Sequence, residues 1–266
     1  MTLCGRPMNV TNYFENRLSA ERYAAARPDV HGIALSRFAA FTNIDLPVGE
    51  ALDVGCGTGQ STLALAQHLA RHVVGIDPSE PMLAACGSHP NVEFKCSDAE
   101  NIPAIDATYD LVVVAQAFHW LNQTAFLREA IRVLKDAGWL LIYNAWFTAE
   151  MKESAAFSAW FKEQYLRRYP TPPRQRTAIS NSWANENGFL FFGEESFSLE
   201  VPMTLQRFTD YQLSTTNVIA AVKGDKHLFE EAQAWIAKSL EMFFNGETER
   251  TFLFAGTNWY LQKRAA

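Results

Sequence analysis

The chain has 266 residues, 48% of them hydrophobic and 20% charged, with a formal net charge of −6 at pH 7. That length suits one large α/β domain, or a core domain carrying an insertion. The acidic balance argues against a general affinity for nucleic acid, which needs an excess of Lys and Arg. Residues 1–7 hold no continuous apolar segment of the signal-peptide kind. The longest strongly apolar run, residues 111–121, is broken by Gln116 and His119 and falls short of the roughly 20 residues of a membrane span. A cytoplasmic protein without membrane association is expected. The cysteines, Cys4, Cys56, Cys86 and Cys96, form no Cys-x-x-Cys pair and have no matching histidine spacing, so reduced thiols and no metal are expected.

In chain order, residues 13–41 read as one or two helices, broken at Arg27-Pro28 because the residue before proline avoids the helical region. Residues 51–54 form a buried strand that ends in a glycine cluster, and residues 61–70 carry apolar groups at helical spacing. Residues 73–76 make a second strand that stops at Asp77, with Ser79 as N-cap of the next helix. Residues 92–96 and 111–114 are the third and fourth strands, with little or no helix between them. Leu127, Ala130, Ile131 and Leu134 share one helical stripe, with Gly138 as the expected stop. Residues 139–143 are the fifth strand.

After that the character changes. Residues 147–192 are rich in aromatics, among them Phe157, Trp160, Phe161, Tyr165 and Tyr169, and read as helices and a loop over the sheet. Residues 196–201 alternate as a sixth strand, 208–244 are helical, and 251–254 with 258–262 complete a strand region. The expected fold is α/β, a doubly wound and mostly parallel seven-stranded sheet with helices on both faces. An N-terminal helical cap (13–45) and a helical insertion (147–195) flank the core (46–146), and 196–266 returns to the sheet.

The sharpest feature is Leu52-Asp53-Val54-Gly55-Cys56-Gly57-Thr58-Gly59-Gln60. It lies between strand and helix, where ligands reach the carboxyl ends of parallel strands. Asp77 ends the next strand, 18 residues after Gly59, placed to accept both hydroxyls of an adenosine ribose. The spacing is Gly-x-Gly-x-Gly rather than the dinucleotide pattern Gly-x-Gly-x-x-Gly. Asp53 would repel a pyrophosphate and attract an ammonium. S-adenosylmethionine carries an ammonium and a sulfonium and no phosphate, so charge favours it over NAD.

Asp53-Val54-Gly55-Cys56-Gly57-Thr58-Gly59 resembles the first motif of the Rossmann-like (class I) S-adenosylmethionine-dependent methyltransferases. More narrowly, the chain resembles the methyltransferase type 11 and trans-aconitate methyltransferase-like branch. Residues 74–83, with Asp77, Pro78 and Met82, are similar to that family's second strand and turn. Ser97-Asp98-Ala99 is similar to its third, and residues 110–121 to its fourth strand and active-site loop. The resemblance implies that Asp98 meets the adenine amino group and the Ala99 amide a ring nitrogen. It also implies that Tyr23 and Arg27 cap the cofactor and that Met82 packs on the adenine, although plain core filling is an equal reading of Met82. It covers residues 13–146 and thins beyond.

Methyl transfer asks little of side-chain chemistry, because the sulfonium is already an activated donor. What the reaction needs is alignment and exclusion of water. His119 is the one histidine in the motifs placed to act as a general base or a cofactor-orienting donor, or it is structural. Gln116 is expected at the methionine end of the cofactor, and Trp120 walls the acceptor pocket or simply packs. Cys56 supplies backbone only. The stretch 166–176 holds Arg167, Arg168, Arg174 and Arg176 and no acid; it reads as a clamp for an anionic acceptor or as a solvated loop. With the resemblance, it points to a small carboxylic acid methylated on oxygen. A different small molecule, a tRNA base or a non-catalytic cofactor-binding subunit are the alternatives. The place after the fourth strand reads Ala115-Gln116-Ala117-Phe118 rather than the Asn/Asp-Pro-Pro-Tyr/Phe loop of enzymes that methylate exocyclic or amide nitrogen.

Overall fold

The computed structural model describes residues 17–173 and 177–265. The chain starts with α1 (Arg17–Ala26) and α2 (His31–Thr42), separated at Arg27-Pro28 as the sequence predicts. Then come β1 (Val48–Val54), α3 (Gln60–His68), β2 (Ala70–Asp77), α4 (Glu80–Leu83), β3 (Val92–Cys96) and β4 (Tyr109–Ala115). A short 3-10 turn, Phe118–Trp120, leads to α5 (Gln123–Val133) and β5 (Leu134–Met151). The remainder is α6 (Ala155–Trp160), a π-helical turn (Phe161–Tyr165), α7 (Leu166–Arg168), α8 (Asn181–Glu186), β6 (Phe189–Thr204), α9 (Leu205–Leu213), α10 (Thr216–Val222), α11 (Lys226–Phe244) and β7 (Glu249–Lys263).

The strands make one seven-stranded sheet in the order β3-β2-β1-β4-β5-β7-β6. All pairs up to β4–β5 are parallel, and β7 runs antiparallel between β5 and β6. Strand periodicity divides the core. Leu52, Val54, Val112 and Val114 face Phe126, Leu127 and Ala130 of α5 on one side. Ala51, Val113, Leu141 and Tyr143 face Leu35 and Phe38 of α2 and Leu65 of α3 on the other. Capping follows the sequence: Ser79 accepts from the Met82 amide, and Asn122 accepts from the Ala125 amide at the start of α5.

A third core lies beyond the carboxyl edge. β4 ends at Ala115, which pairs with Tyr143, yet β5 continues to Met151 against β7. Phe147 on that overhang and Phe252 on β7 pack with Phe157, Trp160, Phe208 and Ile236. Phe208 and Phe252 stack at 3.7 Å between centroids with planes 3° apart.

The structure corrects four expectations. Leu134 is not on the helical stripe: α5 ends at Val133, and Leu134 opens β5 opposite Tyr109. The register shift before Trp139 is turned by Ala137 in the left-handed region (φ +58°), while Gly138 sits so close to the Lys135 carbonyl that a Cβ would be 2.8 Å from it. Gly138 therefore serves a strand irregularity and does not stop a helix. The span 147–195 is not all helix and loop either, since residues 147–151 and 189–195 are strand in the main sheet. The predicted strand pieces 251–254 and 258–262 are one continuous β7.

The N-terminal helices are tied to the sheet by polar contacts. His31 Nδ1 shares a 2.6 Å hydrogen bond with the Tyr143 hydroxyl, both groups buried. Burial pushes the His31 pKa down to about 4 from 6.5. The folded protein therefore binds this proton less readily than the unfolded chain, so the contribution to stability is complete above pH 6.5 and is lost as pH falls towards 4. Urea unfolding of the wild type and His31→Gln at pH 7 and pH 4 should show the wild-type advantage narrowing by about 3 kcal/mol on acidification. A gap that stays constant with pH would mean that His31 is not held neutral by burial.

Candidate cofactor and acceptor site

The glycine loop joins β1 to α3. The Gly55 and Cys56 amides donate to the Ile76 carbonyl (2.8 and 3.0 Å), fixing the loop to the end of β2. Gly57 N donates to Asp77 Oδ2 (3.0 Å), and Asp77 Oδ1 accepts from Ser79 N (2.8 Å). Met82 packs against the same loop, its Cε 3.2 Å from where a Cβ on Gly57 would stand. Gly55 and Gly59 have φ of +68° and +79°. A Cβ on Gly55 would meet Ala117 Cβ at 2.6 Å, and one on Gly59 would meet the Phe94 ring at 2.7 Å. These two glycines are thus required by close approach within the protein, besides whatever room they leave a ligand.

Asp53 is completely buried at the end of β1. Its Oδ2 accepts from the hydroxyls of Ser61 (2.5 Å) and Thr62 (2.7 Å) in the first turn of α3, and its Oδ1 is buried with no partner. Burial raises its pKa from 3.8 to about 6, although the two hydroxyls work in the opposite direction. Burial also pushes the Cys56 thiol well above its usual value and the Cys86 thiol up to about 12. Neither is a thiolate nucleophile at neutral pH. Thr58 is buried within the loop, and Pro78 is half-buried beside Asp77. Ser97 N donates to the Asp77 carbonyl (3.2 Å), which brings Asp98 and the buried Ala99 to the same edge.

Next to this loop lies a cavity of about 1000 Å³. It is bounded by Gln116, His119 and Trp120 after β4, by residues 144–147 of β5, by Tyr23 and Arg27 of the α1 region, and by the aromatic lobe. Gln116 takes a left-handed conformation (φ +57°), with its amide donating to the Tyr143 carbonyl (2.8 Å). That backbone state is costly for a residue with a Cβ and is concentrated at functional sites. His119 and Trp120 stand in the 3-10 turn with ring centroids 4.6 Å apart. Arg27 Nη2 donates to the Ser214 carbonyl (3.0 Å), and its guanidinium lies 4.5 Å from the Tyr23 ring and 5.2 Å from the Tyr211 ring. Arg27 Nε is buried without a partner, and so is Gln212 Nε2 on α9.

Of the residues singled out in the sequence, the structure gathers Tyr23, Arg27, Gln116, His119 and Trp120 on the cavity. Gly55, Gly57, Asp77 and Met82 gather around the loop. Arg167 and Arg168 do not join either group. Arg168 pairs with Glu231 (2.5 Å) and sits 5.1 Å from the Trp235 ring, and neither lines the cavity. Arg174 and Arg176 lie outside the described residues. Gln212, Trp146 and Phe147 line the cavity without having been singled out. Among the described residues there is no cluster of three or more potential metal ligands, and no helix is long and apolar enough to cross a membrane.

Residues 52–142 match the family model described as "Methyltransferase domain". The chain is 31% identical over 189 residues to the demethylmenaquinone methyltransferase of Corynebacterium urealyticum, covering 70% of this chain and 80% of that one. The chain belongs to the class I S-adenosylmethionine-dependent methyltransferases. A methyltransferase-type protein of Dictyostelium discoideum is 28% identical over 194 residues, covering 71% of this chain and 73% of its own length. In fold, this methyltransferase is similar to a type II methyltransferase-like protein of Anaeromyxobacter dehalogenans, with a TM-score of 0.63, 23% identity, and coverage of 86% and 95%. It also resembles the phosphoethanolamine N-methyltransferase 2 of Haemonchus contortus, solved in complex with S-adenosyl-L-methionine. There the TM-score is 0.54 at 15% identity, covering 97% of this chain and 61% of that one. The methyltransferase uses S-adenosylmethionine as cofactor. The trans-aconitate branch is not established by these likenesses.

The donor set of the loop fits that cofactor. Two carboxylates, Asp53 and Asp77, flank the glycines, which suits a cationic, phosphate-free ligand. The raised pKa of Asp53 yields a test of the floor of this site. The folded state binds this proton more readily than the unfolded chain, so stability from this group is present below pH 3.8 and lost as pH rises through 6. Asp53→Asn should therefore gain about 2 kcal/mol relative to wild type as the pH of urea unfolding is raised from 4 to 7. A relative stability that does not move with pH would show that Asp53 titrates as an ordinary carboxylate.

Proposed function

We propose that this methyltransferase acts on a small carboxylic acid, methylating its oxygen, with the cofactor in the glycine loop and the acid in the adjoining cavity. The observation that carries this reading is a pair of buried donors without partners, Arg27 Nε and Gln212 Nε2, on two residues that line a cavity which no described aspartate or glutamate lines. A buried donor left unpaired costs about 1–3 kcal/mol, and an acceptor group on a ligand removes that cost. The described Arg167 and Arg168 do not provide the anion clamp that the sequence suggested.

In this reading Gly55, Cys56, Gly57, Thr58 and Gly59 hold the cofactor through backbone, with Asp53 beneath. Asp77 and Pro78 hold its ribose end, Met82, Asp98 and Ala99 its adenine, and Gln116, Tyr23 and Arg27 its methionine end. The described residues of 13–45 cap the site, 46–146 form the cofactor core, and the described residues of 147–195 and 196–266 build the acceptor side. When bound, S-adenosylmethionine supplies a methyl on a sulfonium, so that an attacking oxygen lone pair leaves the C–S electrons on a neutral sulfur. An ionised carboxylate has no proton to lose, so the chain needs to orient the acid and keep water out rather than supply a base. Arg27 stands where the two ligands meet, Gln212 donates to the acid, and His119 positions it from the β4 side.

Calorimetric titration with S-adenosylhomocysteine should give binding that Asp77→Ala weakens by about tenfold or more. Gln212→Leu should leave that affinity within about twofold and raise the acceptor KM by about tenfold. Equal weakening of both ligands by Gln212→Leu would place Gln212 on the cofactor and remove the argument for an anionic acceptor. His119→Gln should lower kcat by about tenfold or less. A loss of about 10²–10⁴-fold would instead mark His119 as a general base acting on a protonated acceptor.

A further inference from the structure

Besides its donors, the cavity has a second chemical character. Trp120 lines it from the turn after β4, and Trp146 and Phe147 line it from the overhang of β5. Trp146 is 48% exposed, an unusual state for a tryptophan on a β-strand. It sits on the overhang of β5 opposite Ala255, where no bulky partner covers it from β7. Phe147 is held rigidly from behind: it makes edge-to-face contacts with Phe161 (5.2 Å) and Phe208 (5.3 Å) and a tilted contact with Phe254 (5.4 Å). The helix behind it is wound into a π turn at Phe161–Tyr165, which stacks the Phe161 and Tyr165 rings at 4.6 Å. The Tyr165 hydroxyl is spent on Thr215 Oγ1 (3.4 Å), so the ring contributes packing rather than polarity. Single π turns inside helices are frequent at functional sites.

Charge restricts the ligand as well. Arg27 is the one described Arg or Lys on the cavity. A tricarboxylate would bring three negative charges against the one guanidinium that the described lining offers, and burying unpaired charge is strongly unfavourable.

We propose that the acceptor is an acid with a single carboxylate on a flat aromatic body, which Trp120, Trp146 and Phe147 cover, and that Trp146 sets this preference. The inference rests on the carboxylic-acid reading above and narrows it. The carboxylate lies toward Arg27 and Gln212, and the ring system lies along the indole faces, where stacking and burial of apolar area hold it. Trp146 is a specificity residue at the mouth, not a member of the cofactor site, so its replacement leaves the fold and the cofactor affinity intact.

The test is calorimetric binding to the S-adenosylhomocysteine-loaded protein, with methyl transfer measured in parallel. The probes are trans-cinnamate, butyrate and propane-1,2,3-tricarboxylate, together with the neutral phenol and amine that carry the same ring. Cinnamate should bind and turn over, with butyrate and the tricarboxylate weaker by about tenfold or more. Trp146→Ala should weaken cinnamate by about tenfold and leave butyrate and S-adenosylhomocysteine unchanged. Tighter binding of the tricarboxylate or butyrate than of cinnamate overturns the aromatic inference and leaves the carboxylic-acid reading standing, as does cinnamate binding that is indifferent to Trp146→Ala. Turnover of the ring-bearing phenol or amine in place of cinnamate overturns the carboxylic-acid reading while keeping the aromatic wall. Absence of S-adenosylhomocysteine binding to the folded protein would overturn the cofactor assignment on which both stand.

Discussion

β5 and β7 keep pairing after β4 has ended at Ala115, and the acceptor side of the molecule hangs from that overhang. Tyr143 is the last residue of β5 with a partner on β4, and from Asn144 onward its ladder is with β7. Freed of a neighbour on one side, the strand offers Phe147 to a separate aromatic core and leaves Trp146 toward solvent. The helices α6, α9 and α11 pack on the overhang through Phe157, Trp160, Phe208 and Ile236. Without the overhang, the carboxyl edge of the parallel strands would be an open rim. With it, the rim becomes one wall of a cavity whose opposite wall is a packed lobe. An enzyme that must exclude water from an electrophilic methyl needs such enclosure more than it needs acid–base groups.

The cofactor side depends on a smaller contact. Asp53 spans from the end of β1 to the first turn of α3 through Ser61 and Thr62, and Gly57 is tied to Asp77 at the end of β2. These bonds stretch the loop across two strand ends, and Gln60 Nε2 donates to the Ala24 carbonyl (2.8 Å), which draws α1 against the same helix. Because α1 leads directly to Arg27, the cap and the loop are mechanically one unit. Arg27 in turn reaches the Ser214 carbonyl at the end of α9. A continuous chain of hydrogen bonds and packing therefore runs from the glycine loop, through the N-terminal helices, to the lobe that holds Gln212.

The parallel half of the fold was legible because β1, β2 and β4 each close on a short buried run that leads to a residue with a job: Val54 to the glycines, Ile76 to Asp77, Ala115 to Gln116. The antiparallel half was less so. Residues 189–195 do not alternate cleanly because the ladder slips between Phe191 and Gly193, and that irregularity hid the first half of β6. The end of β5 contains Asn144, Ala145, Thr148 and Ala149, which read as loop and are strand only because β7 lies beside them. Gly138 looked like a helix stop because a glycine after an apolar stripe usually is one, whereas here it relieves a clash in a strand irregularity. Gln212 left no mark in the sequence at all. An amide on an amphipathic helix reads as solvent-facing, and only the position of α9 under Arg27 buries it. Of the arginine-rich stretch, whose composition suggested an anion site or a solvated loop, Arg168 is committed to Glu231, while Arg174 and Arg176 lie outside the described residues.

The two halves of the site are also divided by charge, and the division bears on what the enzyme can accept. Asp53, Asp77 and Asp98 all belong to the glycine-loop side, while the cavity contains hydroxyls, amides, rings and Arg27. A cationic donor is drawn to the first side and an anionic or electron-rich acceptor to the second. The field across the boundary therefore presses the reacting pair together before any side chain takes part in chemistry. A cationic amine acceptor would face the opposite field on entering, with Arg27 at the junction and no described carboxylate in the cavity to offset its charge. With the proposed carboxylic acid as acceptor, the charges of sulfonium and carboxylate cancel as transfer proceeds. A wall made largely of rings suits that change, since a neutral ester is better held by apolar surface than the ion that preceded it.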